Sequence, residues 1–247
     1  MADRYAVITG GGSGVGRASA LGLAKRGWTV MVLGRREDAL KQTASMAQGG
    51  RIVPHAADLT KEAEVDAAFG RAKSEFGRLD FLFNNAGMGA RFAFEDTPLD
   101  AWNQVVAINL TGAFLCARAA YRIMKDQRPM GGRIVNNGSI SAHVPRPESV
   151  AYTATKHAIT GLTRQISLDG RRYDIACGQI DIGNAATDMT ARMAGGVPQA
   201  NGTTMAEPTM NAERVADGIV YMADMELEAN VQFLTVMATK MPFIGRG

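Results

Sequence analysis

The chain has 247 residues, 46% of them hydrophobic and 21% charged, which suits one globular domain with a large core. The formal net charge is +3, but basic and acidic residues are interspersed without a long basic run, so nucleic-acid binding has no support. No apolar run approaches the ~20 residues of a membrane helix, and the opening "MADRYAVITG" lacks the apolar stretch of a signal peptide, so a cytoplasmic protein without membrane contact is expected.

Short β-branched runs alternate with helical patterns along the whole chain. "YAVIT" (5–9) predicts the first strand and is followed by a helix from about Val15 to Arg26. The joining loop "TGGGSGVG" (9–16) sets Gly10, Gly14 and Gly16 at a G-x-x-x-G-x-G spacing. Glycines there permit a tight turn and close backbone approach. The helix start then offers free N–H groups and a positive partial charge to a pyrophosphate. The bland alternative is a glycine-rich turn with no ligand. "TVMVL" (29–33) predicts the second strand, with a helix from about Glu37 to Met46. "RIVPHA" (51–56) predicts the third, before a helix from about Lys61 to Phe76 that Gly77 would stop.

"LDFLF" (79–83) reads as a buried fourth strand. A strongly apolar helix follows, with Thr97 as N-cap, Pro98 at the first helical position and Asp100 three beyond the cap; it carries Asn109. "RIVNN" (133–137), "YDIACGQI" (173–180) and "VQFLTVM" (231–237) complete seven strands. Strands alternating with helices imply one α/β domain, a doubly wound, Rossmann-like parallel sheet covered on both faces. No linker or repeat divides residues 1–247. The least regular stretch, about 183–210, reads as a substrate lid, and Met189, Met193, Met205 and Met210 suggest an apolar, adaptable wall. Cys116 and Cys177 sit in apolar surroundings, match no metal motif and read as reduced packing residues; no metal site is expected.

"YTATK" (152–156) places Tyr152 and Lys156 on one face of a predicted helix, one turn apart. By itself the pair is equally a solvated surface. Its company gives it meaning. "TGGGSGVG", "DLT" (58–60), "NNAG" (84–87), Asn109, Ser139 and "YTATK" stand in this order, and Ser139 precedes Tyr152 by thirteen positions. From residue 5 to about 189 the chain resembles a short-chain dehydrogenase/reductase of the compact type.

The resemblance implies an oxidoreductase that uses NADP(H) or NAD(H) on a carbonyl/alcohol pair. Tyr152 would be the general acid of ketone reduction or the base of alcohol oxidation. A phenol ionises only near pH ~10, and a neighbouring ammonium favours the phenolate, so Lys156 would activate it while also binding the nicotinamide ribose. Ser139 would hydrogen-bond the substrate oxygen, although a serine capping a local turn is the plainer reading. Asn109, which a buried site obliges to be hydrogen-bonded, would join a water-bearing proton relay to the lysine. Gly10, Ser13, Gly14, Val15 and Gly16 would hold the cofactor's phosphates. Asp58 and Leu59 would meet the adenine, Asn85, Ala86 and Gly87 the ribose side, and Ile182, Gly183 and Thr187 the nicotinamide side. His55 and His157 read as incidental; His143, between Ser139 and Tyr152, is a candidate substrate contact.

Cofactor choice is readable at the end of the second strand. An acidic residue there would bind the adenine ribose 2′-OH and repel a 2′-phosphate. This chain has Gly34 followed by Arg35 and Arg36, so NADP(H) is expected to be preferred, with NAD(H) also possible.

Two features depart from the family pattern. Ile182 stands where a proline is usual, which restores an N–H and predicts a less rigid loop. The ending "ATKMPFIGRG" replaces a short glycine-rich tail. The resemblance also implies a homotetramer, with some of Ala113, Ala117, Ala120, Ala154 and Ala158 facing a partner. Two other readings stay open: a catalytically silent cofactor-binding regulatory or scaffold protein, against which the intact Asn109, Ser139, Tyr152 and Lys156 weigh, and dehydration or epimerisation, whose relatives are longer.

Overall fold

The computed structural model describes residues 3–187, 190–191 and 195–244. Its main strands are β1 (Tyr5–Thr9), β2 (Thr29–Gly34), β3 (Arg51–Ala56), β4 (Phe81–Asn84), β5 (Gly132–Asn137) and β6 (Ile175–Gly183). The short pieces β7 (Ala185–Ala186), β8 (Val197–Pro198), β9 (Thr204–Met205) and β10 (Met210–Asn211) follow, and β11 (Phe233–Met237) is the last. The helices are α1 (Gly14–Lys25), α2 (Glu37–Ser45), α3 (Glu62–Phe76), α4 (Leu99–Val106), α5 (Ala113–Asp126), α6 (Val150–Gly170) and α7 (Ala212–Asp224).

Seven strands form one parallel sheet in the order β11-β6-β5-β4-β1-β2-β3. The chain starts at β1 in the middle, winds outward to β3, then returns to β4 on the other side. That reversal opens a crevice at the carboxyl ends of β1 and β4, where ligands bind in open α/β sheets. The strands are apolar at successive positions because both faces are covered. Val7, Met31, Leu33 and Leu82 point to one core with α3 and α5, among Val65, Phe69, Leu115 and Ile123. Ala6, Ile8, Val30, Phe81 and Phe83 point to the other, with Leu23 of α1 and Val215 and Ile219 of α7.

Element boundaries shift from the sequence expectations in places with a physical cause. Thr97 does not cap α4: its hydroxyl bonds back to the Ala93 carbonyl at 3.0 Å, and the helix begins after Pro98, whose carbonyl accepts from Trp102 N–H at 3.0 Å. The apolar helix expected through Asn109 is interrupted by a π-helical stretch, Ala107–Gly112, between α4 and α5. Such an insertion of one extra residue per turn is frequent at functional sites. β6 runs three residues further than expected. Ile182 lies inside it, paired with Val236, and Gly183 with Met237. The amide that proline would remove is present here, so the strand continues where a less rigid loop was expected.

The expected lid is likewise less irregular than its composition suggests. β8 and β9 form an antiparallel hairpin and β7 pairs with β10. Met205 is exposed and Met210 packs toward Ile140, so neither is an apolar wall of the cavity described below; Met189 and Met193 lie outside the described residues. The C-terminal segment folds back under the residues after β5: Ala238 and Met241 are buried with Ile140. Of the five alanines of which some were expected to face a partner, Ala113, Ala117 and Ala120 turn inward and are buried and so cannot do so, whereas Ala154 is exposed and Ala158 half-buried. Cys116 and Cys177 are free and buried; burial pushes the Cys116 thiol up to about 12 and the Cys177 thiol higher still. Among the described residues, no helix is long and apolar enough to cross a membrane, and no group of three or more His, Cys, Asp or Glu is placed to hold a metal ion.

Candidate active site

A cavity of about 770 Å³ runs along the carboxyl ends of the strands. One end is the glycine loop. Gly10 and Gly14 take left-handed backbone (φ 66° and 51°), which permits the tight turn, and a Cβ on Gly16 would lie 2.3 Å from the Gly10 carbonyl. The loop is pinned from outside. Thr43 Oγ1 donates to the Gly11 carbonyl at 2.9 Å, and Arg17 Nη2 to the Gly12 carbonyl at 2.5 Å. Ser13, the N-cap of α1, makes no side-chain cap bond, and the first turn of α1 has no acidic residue. The free N–H groups and positive end of the helix therefore meet the cavity, an arrangement that fits a phosphate.

Of the residues expected to contact a cofactor, Gly10, Ser13, Gly14, Val15, Arg35, Arg36, Asp58, Leu59, Asn85, Ala86, Gly87, Tyr152, Ile182 and Thr187 line this cavity. Gly16, Lys156 and Gly183 do not. Gly16 sets the approach of α1 to the loop, and Gly183 packs against Met237 and Met241. Arg35 and Arg36 are exposed at the cavity mouth, and Arg36 Nη2 reaches Ser13 Oγ at 3.5 Å. Asp58 holds a local turn: its Oδ1 accepts from Thr60 Oγ1 at 2.8 Å and Thr60 N–H at 3.1 Å, and those bonds hold its carboxyl below the usual range. At the switch point, Thr9 Oγ1 accepts from the N–H groups of Asn85 and Ala86, both at 2.9 Å, and Asn137 Nδ2 donates to Asn85 Oδ1 at 2.9 Å.

The other end holds Ser139 and Tyr152. Ser139 follows β5 and is buried; its Oγ accepts from Ser141 N–H at 3.1 Å, so it does cap the turn 140–142. A hydroxyl has one proton and two lone pairs, so accepting that bond leaves the proton available to the cavity. Tyr152 is half-buried on α6. One turn on, Lys156 is buried behind it, with Nζ donating to the Asn137 carbonyl at 2.7 Å and lying 5.4 Å from the Tyr152 ring centroid. The ammonium is thus held from the β5 side against the phenol.

Asn109 is buried away from the cavity wall. Its Oδ1 accepts from Met88 N–H at 2.8 Å, while Nδ2 donates to the Met88 carbonyl at 2.9 Å and to Thr155 Oγ1 at 3.3 Å. The side chain clamps the backbone that follows Gly87 to α6, which is the hydrogen-bonded state its burial demands. His143 is not a wall residue either: Nε2 pairs with Asp181 Oδ2 at 2.8 Å. His55 sits beside Arg71 (2.9 Å), where burial and then that charge hold its imidazole below its usual value; His157 bonds the Thr153 carbonyl.

Sequence reasoning missed three polar residues on this side, two of them buried. Asp181, 1% exposed, accepts from Ser139 N–H (2.9 Å) and Gln179 Nε2 (2.7 Å). Arg146 lines the cavity and pairs with Glu207 at 2.6 Å, although the two are 61 residues apart. Burial pushes the Glu207 carboxyl up, but hydrogen bonds from Arg146, Asn184 and Gln199 outweigh it and hold it below the usual carboxylate range. The only local signal was a charged residue between prolines in "VPRPES".

Residues 4–196 match the family model described as short chain dehydrogenase. A 3beta-hydroxysteroid dehydrogenase of Mediterraneibacter gnavus is 35% identical over 193 residues, 77% of this chain and 69% of that one. A D-beta-hydroxybutyrate dehydrogenase of Cupriavidus necator is 35% identical over 191 residues, 76% and 73% of the two chains. Among solved structures, acetoin dehydrogenase from Enterobacter cloacae superposes with TM-score 0.85 at 30% identity, over 100% of this chain and 98% of that one. The 3-ketoacyl-(acyl-carrier-protein) reductase from Brucella melitensis, complexed with NADH, gives 0.83 at 26% identity, over 94% and 96%. The chain belongs to the short-chain dehydrogenase family and is an oxidoreductase.

Proposed function

We propose that the protein interconverts a small-molecule carbonyl compound and its secondary alcohol, with NADP(H) as the preferred cofactor and Tyr152 as the acid/base. The observation that carries this reading is a single cavity with an anion-binding helix start and two arginines at one end, and Ser139 with the Lys156-backed phenol at the other. Gly10, Ser13, Gly14 and Val15 would hold the cofactor's phosphates, Arg35 and Arg36 the 2′-phosphate, and Ile182 and Thr187 the nicotinamide side. When bound, the nicotinamide supplies or accepts the hydride at the substrate carbon.

The chain's own residues handle the oxygen. Ser139 Oγ donates a hydrogen bond to it, and the Tyr152 hydroxyl passes its proton there during reduction. The Lys156 ammonium stabilises the phenolate left behind, and in oxidation the same phenolate takes the proton back. Asn109 supports this indirectly, by fixing the Met88 backbone against Thr155.

The relatives named above act on hydroxyl or keto compounds, which supports a carbonyl/alcohol substrate. A homotetramer and a reducing, cytoplasmic location belong to the same reading; the free, buried cysteines fit it. Steady-state nicotinamide oxidation against a carbonyl panel tests the proposal, with Lys156→Ala expected to lose both turnover and cofactor affinity. Turnover of no carbonyl or alcohol by cofactor-loaded protein would leave the regulatory or scaffold reading in its place.

A further inference from the structure

Asp181 lies behind the cavity wall rather than on it, 1% exposed, in β6 between Ile180 and Ile182. A carboxyl buried in a strand is costly, and an apolar residue would pack there without that cost. Both of its oxygens are taken. Oδ1 accepts from Ser139 N–H at 2.9 Å and from Gln179 Nε2 at 2.7 Å, and His143 Nε2 lies 2.8 Å from Oδ2. A Cβ on Gly138 would lie 2.0 Å from Oδ1, so the glycine lets the carboxyl sit directly against the start of the Ser139 turn. Gln179, buried on the same face of β6, continues the connection. Its Nε2 also donates to Thr160 Oγ1 at 3.1 Å, and its Oε1 accepts from Thr163 Oγ1 at 3.2 Å. Both threonines are on α6, about one and two turns beyond Lys156.

One oxygen thus ties the Ser139 backbone to the helix that carries Tyr152 and Lys156. Strand pairing does not supply this tie: the β5–β6 ladder ends with Gly138 N–H on the Ile180 carbonyl, one residue before Ser139. We propose that Asp181 is a positioning residue for Ser139, whose carboxyl sets the serine hydroxyl against the Tyr152 phenol so that both meet one substrate oxygen. The inference rests on the acid/base reading of the cavity and deepens it. The role calls for a hydrogen-bond acceptor of this shape rather than for a negative charge. Two donors converge on Oδ1, which selects the oxygen of an amide for that place. The amide nitrogen then faces His143 Nε2, which accepts when the ring carries its proton on Nδ1. Asparagine therefore keeps the connection, and alanine breaks it.

The test is a double-mutant cycle on NADPH-dependent reduction of diacetyl, butanone or acetoacetate, using whichever the wild type turns over fastest. Asp181→Ala and Asp181→Asn are each made in the wild type and in Ser139→Ala, with thermal melting and NADPH titration of every variant. Ser139→Ala is expected to lower kcat by roughly 10²-fold or more. Asp181→Ala is expected to lower kcat by roughly tenfold or more, with the NADPH dissociation constant within about threefold of wild type. Once Ser139 is gone, the same substitution is expected to change kcat less than about twofold. Asp181→Asn is expected to recover the rate to within about threefold of wild type. Equal losses from Asp181→Ala in the two backgrounds would make the residue merely structural and overturn the inference. An alanine variant within about threefold of wild type, or an asparagine variant as slow as the alanine one, would overturn it too. Should Asp181→Ala not fold, Asp181→Ser, whose hydroxyl is too short to reach both donors, carries the same comparison with the same outcomes. No turnover of any of the three carbonyls, or Ser139→Ala as fast as wild type, counts against the parent reading; a Ser139 effect without coupling to Asp181 counts against this inference alone.

Discussion

On the proposed reading, cofactor preference is decided at the end of β2, where the structure leaves room to reverse it. Gly34 pairs with Ala56 in the sheet, and a Cβ at position 34 would meet only Leu40 Cδ2, at 3.7 Å, so an aspartate fits without moving the backbone. Gly34→Asp with Arg35→Ala removes one guanidinium from the cavity mouth and adds a carboxylate facing the 2′ position. Losing a charge-assisted bond to a phosphate at an exposed site costs about 1.5–3 kcal/mol. A carboxylate and a phosphate about 4 Å apart add about 1 kcal/mol of repulsion in a nearly aqueous dielectric. The sum, about 2.5–4 kcal/mol, is a shift of roughly 60- to 700-fold in the ratio of the two dissociation constants. Fluorescence titration of NADPH and NADH against wild type and the double variant measures it. Tighter NADH than NADPH in the wild type would refute the reasoning, as would a ratio that the double variant leaves unchanged.

Other parts of the molecule give further expectations. Arg133 is buried at 2% exposure and donates to Asn230 Oδ1 and to the carbonyls of Met225, Glu226 and Ala229, so Arg133→Met should destabilise the fold by about 3 kcal/mol in urea unfolding; a loss under about 1 kcal/mol would contradict that role. Burial raises the Asp224 carboxyl, but bonds from Arg4, Arg26 and Trp28 outweigh it and leave it below the usual value. A carboxyl depressed in the folded state stabilises above its unfolded pKa of about 3.9 and loses that stabilisation as pH falls through the lower, folded value. Asp224→Asn should therefore cost about 1 kcal/mol near neutral pH, with the gap to wild type closing below about pH 4; a gap independent of pH would count against it. Light scattering should find a tetramer at micromolar concentration, with the exposed Leu99, Phe114 and Leu168 available on α4, α5 and α6 for contact; a monomer would overturn this.

Periodicity and turn chemistry carried the sheet and most helices because those signals are local. Both-face burial made β1, β2 and β4 continuous apolar runs, and the glycine loop, Ser139 and the Tyr152–Lys156 pair stood in recognisable order. What stayed hidden depends on distant partners. The extension of β6 through Ile182 is decided by pairing with β11, not by its own residues. The inward turn of Ala113, Ala117 and Ala120 follows from packing of α5, which small residues alone do not reveal. Asp181 and Glu207 read as ordinary acidic residues until the fold sets them beside Ser139 and Arg146. His143 is a candidate substrate contact only by its place between Ser139 and Tyr152, and the fold instead sets its imidazole against Asp181.

The central claim, that Tyr152 transfers the proton while the rest of the cavity binds, is tested most directly by Tyr152→Phe. The substitution removes one hydroxyl from a half-buried ring and leaves Lys156 bonded to the Asn137 carbonyl. General acid–base catalysis contributes about 10²–10⁴-fold. The account predicts a fall of that size in the rate of nicotinamide oxidation with a saturating carbonyl substrate, and an NADPH dissociation constant within about twofold of wild type. A rate within about threefold of wild type would contradict it.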